Sequence, residues 1–481
     1  MEDYIRLRVK PEKKYISSTL KKNNGSFIAT ATLADFENLE NELRTFNVQI
    51  AHTAAVLCQS TYSDSADSDM VEGYATEDLQ RLGYVGVENY NYELADGSNR
   101  QQVDSPTNLA FTIAHKKLLN ADGFYAANAF AILLRGTPNS CEWNGNFRFN
   151  KGDGSDGPTH AVWENNLYGL AKNVHAEFVK YCEKYSNDLI DGELKIDAQA
   201  QNRILVTGHS RGGGTAECLG FMFDNDVMQP TGTIFEPGGI IAKTAMKIND
   251  VQVYALAPTQ GFYKRDFAKY FPNRDLSNYH NIYNVINTYD FVPTTPLIKW
   301  GYSHIGQEYT FNASDGNYEK MKKTLLNHFQ QSLDDDACQM YDCETIQNWL
   351  HDFETAEQVD KTAIKNMNND MFSMCKTAHD FNHIYDMEVN NGVKTENVKV
   401  SVAMYLQEFA SYLAENNPAE WFGWLVKHPQ NDAIAQKFHE GSRTLPYLAK
   451  TGPNVAHHWC TTYIAWLATL GKENYQVNEI R

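Results

Sequence analysis

The chain has 481 residues, 42% of them hydrophobic and 21% charged, with a formal net charge of −18. This is a globular composition, long enough for two or three units or for one large α/β domain with additions. The acidic balance argues against a nucleic-acid partner, because phosphate binding needs clustered Lys and Arg, and eight cysteines spread over such a length imply no disulfide framework.

Met1 to Lys10 has no apolar stretch and no small-residue cleavage site, so no cleavable signal peptide is expected. No run approaches the roughly 18 apolar residues of a membrane span. The expected location is cytoplasmic, or outside the cell by a route that needs no cleaved signal. Residues 1–30 are locally basic and polar and read as a flexible leader. Between Leu33 and Tyr62 the apolar positions Leu33, Phe36, Leu39, Leu43, Phe46, Ile50, Ala54 and Leu57 recur at helical spacing, which predicts one or two amphipathic helices. Residues 63–105, rich in Asp, Ser, Gly and Asn, read as loops and short strands.

Asn108–His115 is a strand candidate. After the turn signal Asp122-Gly123 comes Ala129–Leu134, a continuous apolar run of the kind a strand covered on both faces presents. His160–Tyr185 predicts a long helix, with Leu167, Leu170, Val174, Phe178 and Tyr181 on one face. Further strands are predicted at Ile204–Thr207, Val251–Pro258 and Asn281–Asn287, with an edge strand at Gly306–Phe311. Strands alternating with helices predict a largely parallel sheet wrapped on both faces. Residues 313–375 are helical and acidic, either an insertion over the active site or a solvated helical pair. Residues 398–481 read as helices.

The chemistry centres on Gly208-His209-Ser210-Arg211-Gly212, which fits G-x-S-x-G. An apolar strand precedes it and a plausible helix follows, the context in which a serine sits on a sharp strand-to-helix turn with its hydroxyl exposed above a sheet. Ser210 is therefore the candidate nucleophile. It needs a base, a carboxylate to orient the base, and N–H donors for the oxyanion. Asp290, just past a strand end and downstream of Ser210, is the candidate acid. The oxyanion donors are expected from Arg211, directly after the nucleophile, and from Thr137, in the turn after the Ala129–Leu134 strand. The base must follow Asp290. His304 comes too soon, and His328 and His351 sit inside helical patterns. The loop-like piece Lys376–Tyr385 makes His379 the chosen base, with His383 as the alternative. His457-His458 reads as a polar helix start. With Cys460 it lacks a second ligand cluster, and Cys338, Cys343 and Cys375 do not have a standard zinc spacing, so no metal is expected.

Four stretches resemble the class 3 lipase family of α/β-hydrolases. Ala131–Thr137 resembles its strand and R-G-S/T oxyanion turn, with Glu142-Trp143 where the family has an acidic–Trp pair. Val206–Gly213 resembles its G-H-S-x-G-G elbow. Asn284–Pro293 resembles its N-x-x-D-x-V-P strand end, and Tyr302–Tyr309 its Y-x-H-x-G-x-E-Y segment, whose histidine is not the base. Arg211 departs from the leucine commoner at that position, and the interval from Asp290 to His379 is longer than the family leads one to expect.

The resemblance implies an α/β-hydrolase fold without a cofactor. It also implies a serine hydrolase that cleaves carboxylic esters, often acylglycerols or phospholipids, through an acyl-enzyme. The expected organisation is a leader at 1–30, a lipase-like domain at 31–397 containing the acidic insertion at 313–375, and a C-terminal helical region at 398–481. A non-catalytic binding or effector module on this scaffold, and an acyltransferase using the same triad, are the alternatives. The expected partner is a lipid or other acyl ester. Transient membrane-surface contact through Trp421, Phe422, Trp424 and Leu425 is a further expectation.

Overall fold

The computed structural model describes residues 4–9, 27–41, 44–62, 75–92, 109–120, 122–137, 167–186, 189–190, 192, 194–197, 200–228, 251–263, 275–288, 290, 292–294, 302–311, 317–334 and 457–470. In chain order the elements begin with β1 (Ile5–Val9), β2 (Phe27–Ala31), α1 (Ala34–Glu37), α2 (Val48–Ser60), α3 (Ala75–Arg81), β3 (Val85–Tyr90), β4 (Phe111–Leu119) and β5 (Tyr125–Leu134). There follow α4 (Leu167–Tyr185), β6 (Gln201–His209), α5 (Arg211–Met228), β7 (Val251–Leu256), β8 (Phe262–Tyr263), β9 (Ile282–Asn287), β10 (Tyr302–Ser303), β11 (Gln307–Phe311), α6 (Asn317–Asp334) and α7 (Cys460–Leu470).

Seven strands form one sheet in the order β11-β9-β7-β6-β5-β4-β3. From β5 to β11 the neighbours run parallel, while β3 and β4 are antiparallel additions at the other edge. This is the mostly parallel sheet with helices on both faces that the sequence predicts. The apolar runs explain its burial. Along β5, Ala129, Ala131 and Leu133 face one core cluster while Phe130, Ile132 and Leu134 face the other. Successive side chains of a strand point to opposite faces, so a strand covered on both sides must be apolar throughout.

The two faces are covered differently. On one, α4 and α5 pack against Phe130, Ile132, Ile204, Val206 and Val253. On the other lie α2, α6, α7 and the β1–β2 pair. Helix α2 is buried on nearly every side, as a helix enclosed by protein must be. The Asn47 side chain caps it by accepting from the N–H groups of Gln49 and Ile50.

The N-terminal stretch departs from the flexible leader expected of residues 1–30. Its two ends pair antiparallel as β1 and β2, from Ile5 opposite Ala31 to Val9 opposite Phe27. Leu7, Val9, Phe27 and Ala29 enter the core while Arg6 and Arg8 stay outside. Period-two alternation is the reason, and the arginines that made the segment look solvated are its solvent face. Within the acidic stretch 313–375, the described helix α6 is no solvated element: Tyr318, Met321 and Leu325 are buried against the core. The tryptophan cluster at Trp421 and Trp424 lies outside the described residues. No described helix is long and apolar enough to cross a membrane.

Candidate active site

The carboxyl ends of β5, β6 and β9 converge on one edge of the sheet, where open α/β folds collect their ligand-binding groups. β6 runs into α5 through Ser210, whose φ of 59° lies in the left-handed region. A serine there is strained, and the turn must be held by its surroundings. The Ser210 N–H donates to the Leu256 carbonyl at 2.9 Å, and the Ser210 carbonyl accepts from Gly214 at 3.0 Å. Glycine is required on both sides of the turn. A Cβ on Gly208 would stand 2.3 Å from the Gly212 carbonyl oxygen, and one on Gly212 would stand 2.4 Å from the Leu134 carbonyl oxygen.

The second of these close approaches sets the elbow against the end of β5. The turn Arg135-Gly136-Thr137 follows, and a Cβ on Gly136 would meet the His209 carbonyl oxygen at 2.7 Å and the Tyr62 hydroxyl at 1.8 Å. Thr137 is therefore one residue from a backbone that touches the elbow. Arg211 is the first residue of α5 and is buried.

Asp290 follows β9 and is buried. Its Oδ1 accepts from the Val292 N–H at 2.9 Å, and its Oδ2 lies 2.8 Å from His458 Nδ1. His458 Nε2 is 2.9 Å from Ser210 Oγ. A single imidazole thus bridges the serine and the carboxylate. For a carboxylate Oδ2 to accept, Nδ1 carries the hydrogen, which leaves Nε2 free to take the serine proton.

The sequence expectation places the base at His379, with His383 as the alternative. His379 and His383 lie outside the described residues, and the imidazole in contact with both Ser210 and Asp290 belongs to His458. The reading of His457-His458 as a helix start is right in place, since α7 begins at Cys460, but it missed the contact with Ser210. One signal was available to both. An aromatic follows within six residues of either histidine, Tyr385 after His379 and Tyr463 after His458, and His458 is the only one of the two within the described residues. His304 is engaged elsewhere, with Nδ1 2.7 Å from Glu217 and Nε2 2.8 Å from the Pro293 carbonyl.

Two tyrosines and a second histidine surround this core. The Tyr463 hydroxyl accepts from the Asn287 N–H at 3.0 Å and donates to Asp290 Oδ2 at 2.8 Å. Burial, with the Asp290 charge adding to it, pushes this phenol well above its ordinary range, so it stays a donor. His209 Nε2 lies 2.7 Å from the His458 carbonyl oxygen and Nδ1 lies 2.7 Å from the Tyr62 hydroxyl. A carbonyl only accepts, so His209 donates through Nε2 and receives the tyrosine hydrogen at Nδ1. Burial, with His458 adding to it, holds His209 well below the usual imidazole range, consistent with that neutral form. Among the described residues no cluster of three or more His, Cys, Asp or Glu is arranged to hold a metal.

Residues 131–300 match the model of the lipase (class 3) family, about a third of the chain. No curated protein matches. Similar solved structures include a triacylglycerol lipase described as having a serine protease triad as its catalytic centre, 16% identical over 56% of this chain and 83% of that one, with a TM-score of 0.34. A Rhizomucor miehei lipase–propeptide complex is 16% identical over 56% and 68%, with a TM-score of 0.33. A mono- and diacylglycerol lipase from Aspergillus oryzae is 18% identical over 56% and 81%, with a TM-score of 0.32. The matched residues 131–300 include the elbow with Ser210 and the strand end with Asp290.

Proposed function

Taking as premise that residues 131–300 are class 3 lipase sequence, we propose that the chain cleaves acyl esters of lipids, acylglycerols or phospholipids, with Ser210, His458 and Asp290 as its triad. The observation that carries this reading is the pair of contacts made by one imidazole, 2.9 Å to Ser210 Oγ and 2.8 Å to Asp290 Oδ2.

His458 Nε2 takes the Ser210 proton as Oγ attacks the ester carbonyl. The N–H groups of Arg211 and Thr137 receive the developing oxyanion. Nε2 then gives its proton to the leaving alcohol, and an acyl-serine remains. Water attacks this ester with His458 again as base, the acid departs, and Ser210 regains its hydrogen. Asp290 keeps Nδ1–H directed at itself throughout and offsets the imidazolium charge. The half-buried Thr137, in the turn that touches the elbow, and the buried N-terminus of α5 support the oxyanion assignment.

A fluorophosphonate probe tests the reading. Labelling at Ser210, lost together with esterase activity in Ser210→Ala, is the expected result. Undiminished hydrolysis by that variant would end the proposal. Release of free acid alone, in the presence of added alcohol acceptors, separates hydrolysis from acyl transfer.

A further inference from the structure

A second buried acid–histidine pair joins the elbow helix to the turn that follows Asp290. Glu217 projects from α5, two turns beyond Ser210, and His304 precedes β11; both side chains are buried. His304 Nδ1 lies 2.7 Å from Glu217 Oε1, and Nε2 lies 2.8 Å from the carbonyl oxygen of Pro293. Pro293 belongs to the short 3-10 turn Val292–Thr294. The same carbonyl accepts from Gln260 Nε2 at 3.1 Å. The turn is thus gripped from two sides, and its Val292 N–H holds Asp290 Oδ1.

The proton inventory of this pair is constrained. A carbonyl oxygen only accepts, so Nε2 must carry hydrogen, and the contact at Nδ1 needs one more hydrogen between imidazole and carboxyl. Imidazolium with carboxylate, or imidazole with carboxylic acid, satisfies both contacts. Without that shared proton a single N–H remains for two acceptors, and one of them loses its partner away from water. The surroundings retain the proton. Burial alone pushes His304 down, but Glu217, with Glu308 of β11 adding to it, outweighs this and raises it. Burial raises Glu217 to about 7, against the opposing pull of His304.

Resting on the serine-hydrolase reading, we propose that Glu217 and His304 are positioning residues, a proton-holding clamp that ties the turn after Asp290 to the elbow helix and keeps the acid aligned with His458. Neither touches the reacting atoms. Loss of the shared proton opens the clamp, so it contributes a fall in kcat on the alkaline side of the pH profile.

Two variants of the full chain test this, assayed with a soluble chromogenic acyl ester and by the rate of fluorophosphonate labelling. His304→Phe keeps the bulk and removes both donors. It is expected to lower kcat about ten-fold or more, with KM within about two-fold. In Glu217→Gln the amide donates to Nδ1 of a neutral imidazole that still donates to Pro293, so both contacts survive with no proton to lose. Its kcat is expected well above that of His304→Phe, with the alkaline fall removed. Wild-type kcat and pH profile in His304→Phe, or an unchanged alkaline limb in Glu217→Gln, would overturn the clamp. If His304→Phe does not fold, the Glu217→Gln pH profile decides alone. A wild-type chain inert to the probe would instead defeat the serine-hydrolase reading and the clamp with it. Labelling of the wild type at a rate both variants share would defeat the clamp alone.

Discussion

The sheet-borne half of the site and its C-terminal half are built by opposite means. Thr137, Ser210 and Asp290 each follow a parallel strand directly, so the register of β5, β6, β7 and β9 fixes their spacing. His458 and Tyr463 come from a segment that reaches the site through side-chain packing. Trp466 stacks on Phe311, with ring centroids 5.2 Å apart, and lies tilted against Tyr318 at 6.0 Å. His209 and Asn287 hold the backbone carbonyls of His458 and His457. Backbone ladders make the first half rigid and local. The second half depends on how well one helix docks on α2 and α6.

The largest expected effect tests which half supplies the proton acceptor. His458→Ala should lose about 10⁴-fold or more in kcat, while His379→Ala keeps wild-type rates. Equal losses in both would erase the distinction between the halves. Next comes docking. Trp466→Ala removes a buried indole and should destabilise the fold by about 3–5 kcal/mol. Thermal melting followed in parallel with probe labelling should show labelling failing at a lower temperature than the fold, since His458 is held by the docking of α7.

The layer under α7 should also be the acid-sensitive one. Burial lowers His52 to about 4 and His328 and His457 to about 3. The unfolded chain binds these protons near 6.5 and the folded chain resists them, so stability is full above that value and is lost as pH falls toward 3. Each such histidine costs about 2 kcal/mol by pH 5. His328→Phe, which keeps the stacking on Phe27, should flatten the drop in Tm between pH 7 and pH 5. The smallest effect concerns the acid. Tyr463→Phe removes one donor to Asp290 Oδ2 and should lower kcat about ten-fold with KM unchanged, as initial-rate kinetics would show.

The same division governs what was legible in the sequence. Ala129–Leu134 and Ile204–Val206 announce covered strands by being apolar throughout, Val251–Leu256 and Ile282–Asn287 by apolar runs broken only by Gln252, Asn284 and Asn287, and the elbow announces itself by two glycines with no room for a side chain. Ser210, Asp290 and Thr137 are legible because each lies just past the end of an apolar strand. His458 obeys no such rule. Its contact with Ser210 spans 248 residues, and a base need only follow the acid in the chain and lie near it in space. The β1–β2 pair was missed for a different reason: alternation was present in Ile5–Val9, but the arginines drew attention to charge instead of period.

The distance in sequence between nucleophile and base sets an order of events in time. A ribosome delivers the chain from its N-terminus, so β5, β6, β7 and β9, which lie side by side in the sheet, are all made before His458. Asp290 leaves the ribosome 168 residues before His458. A chain made only that far carries the elbow serine without the imidazole that contacts it in the finished fold.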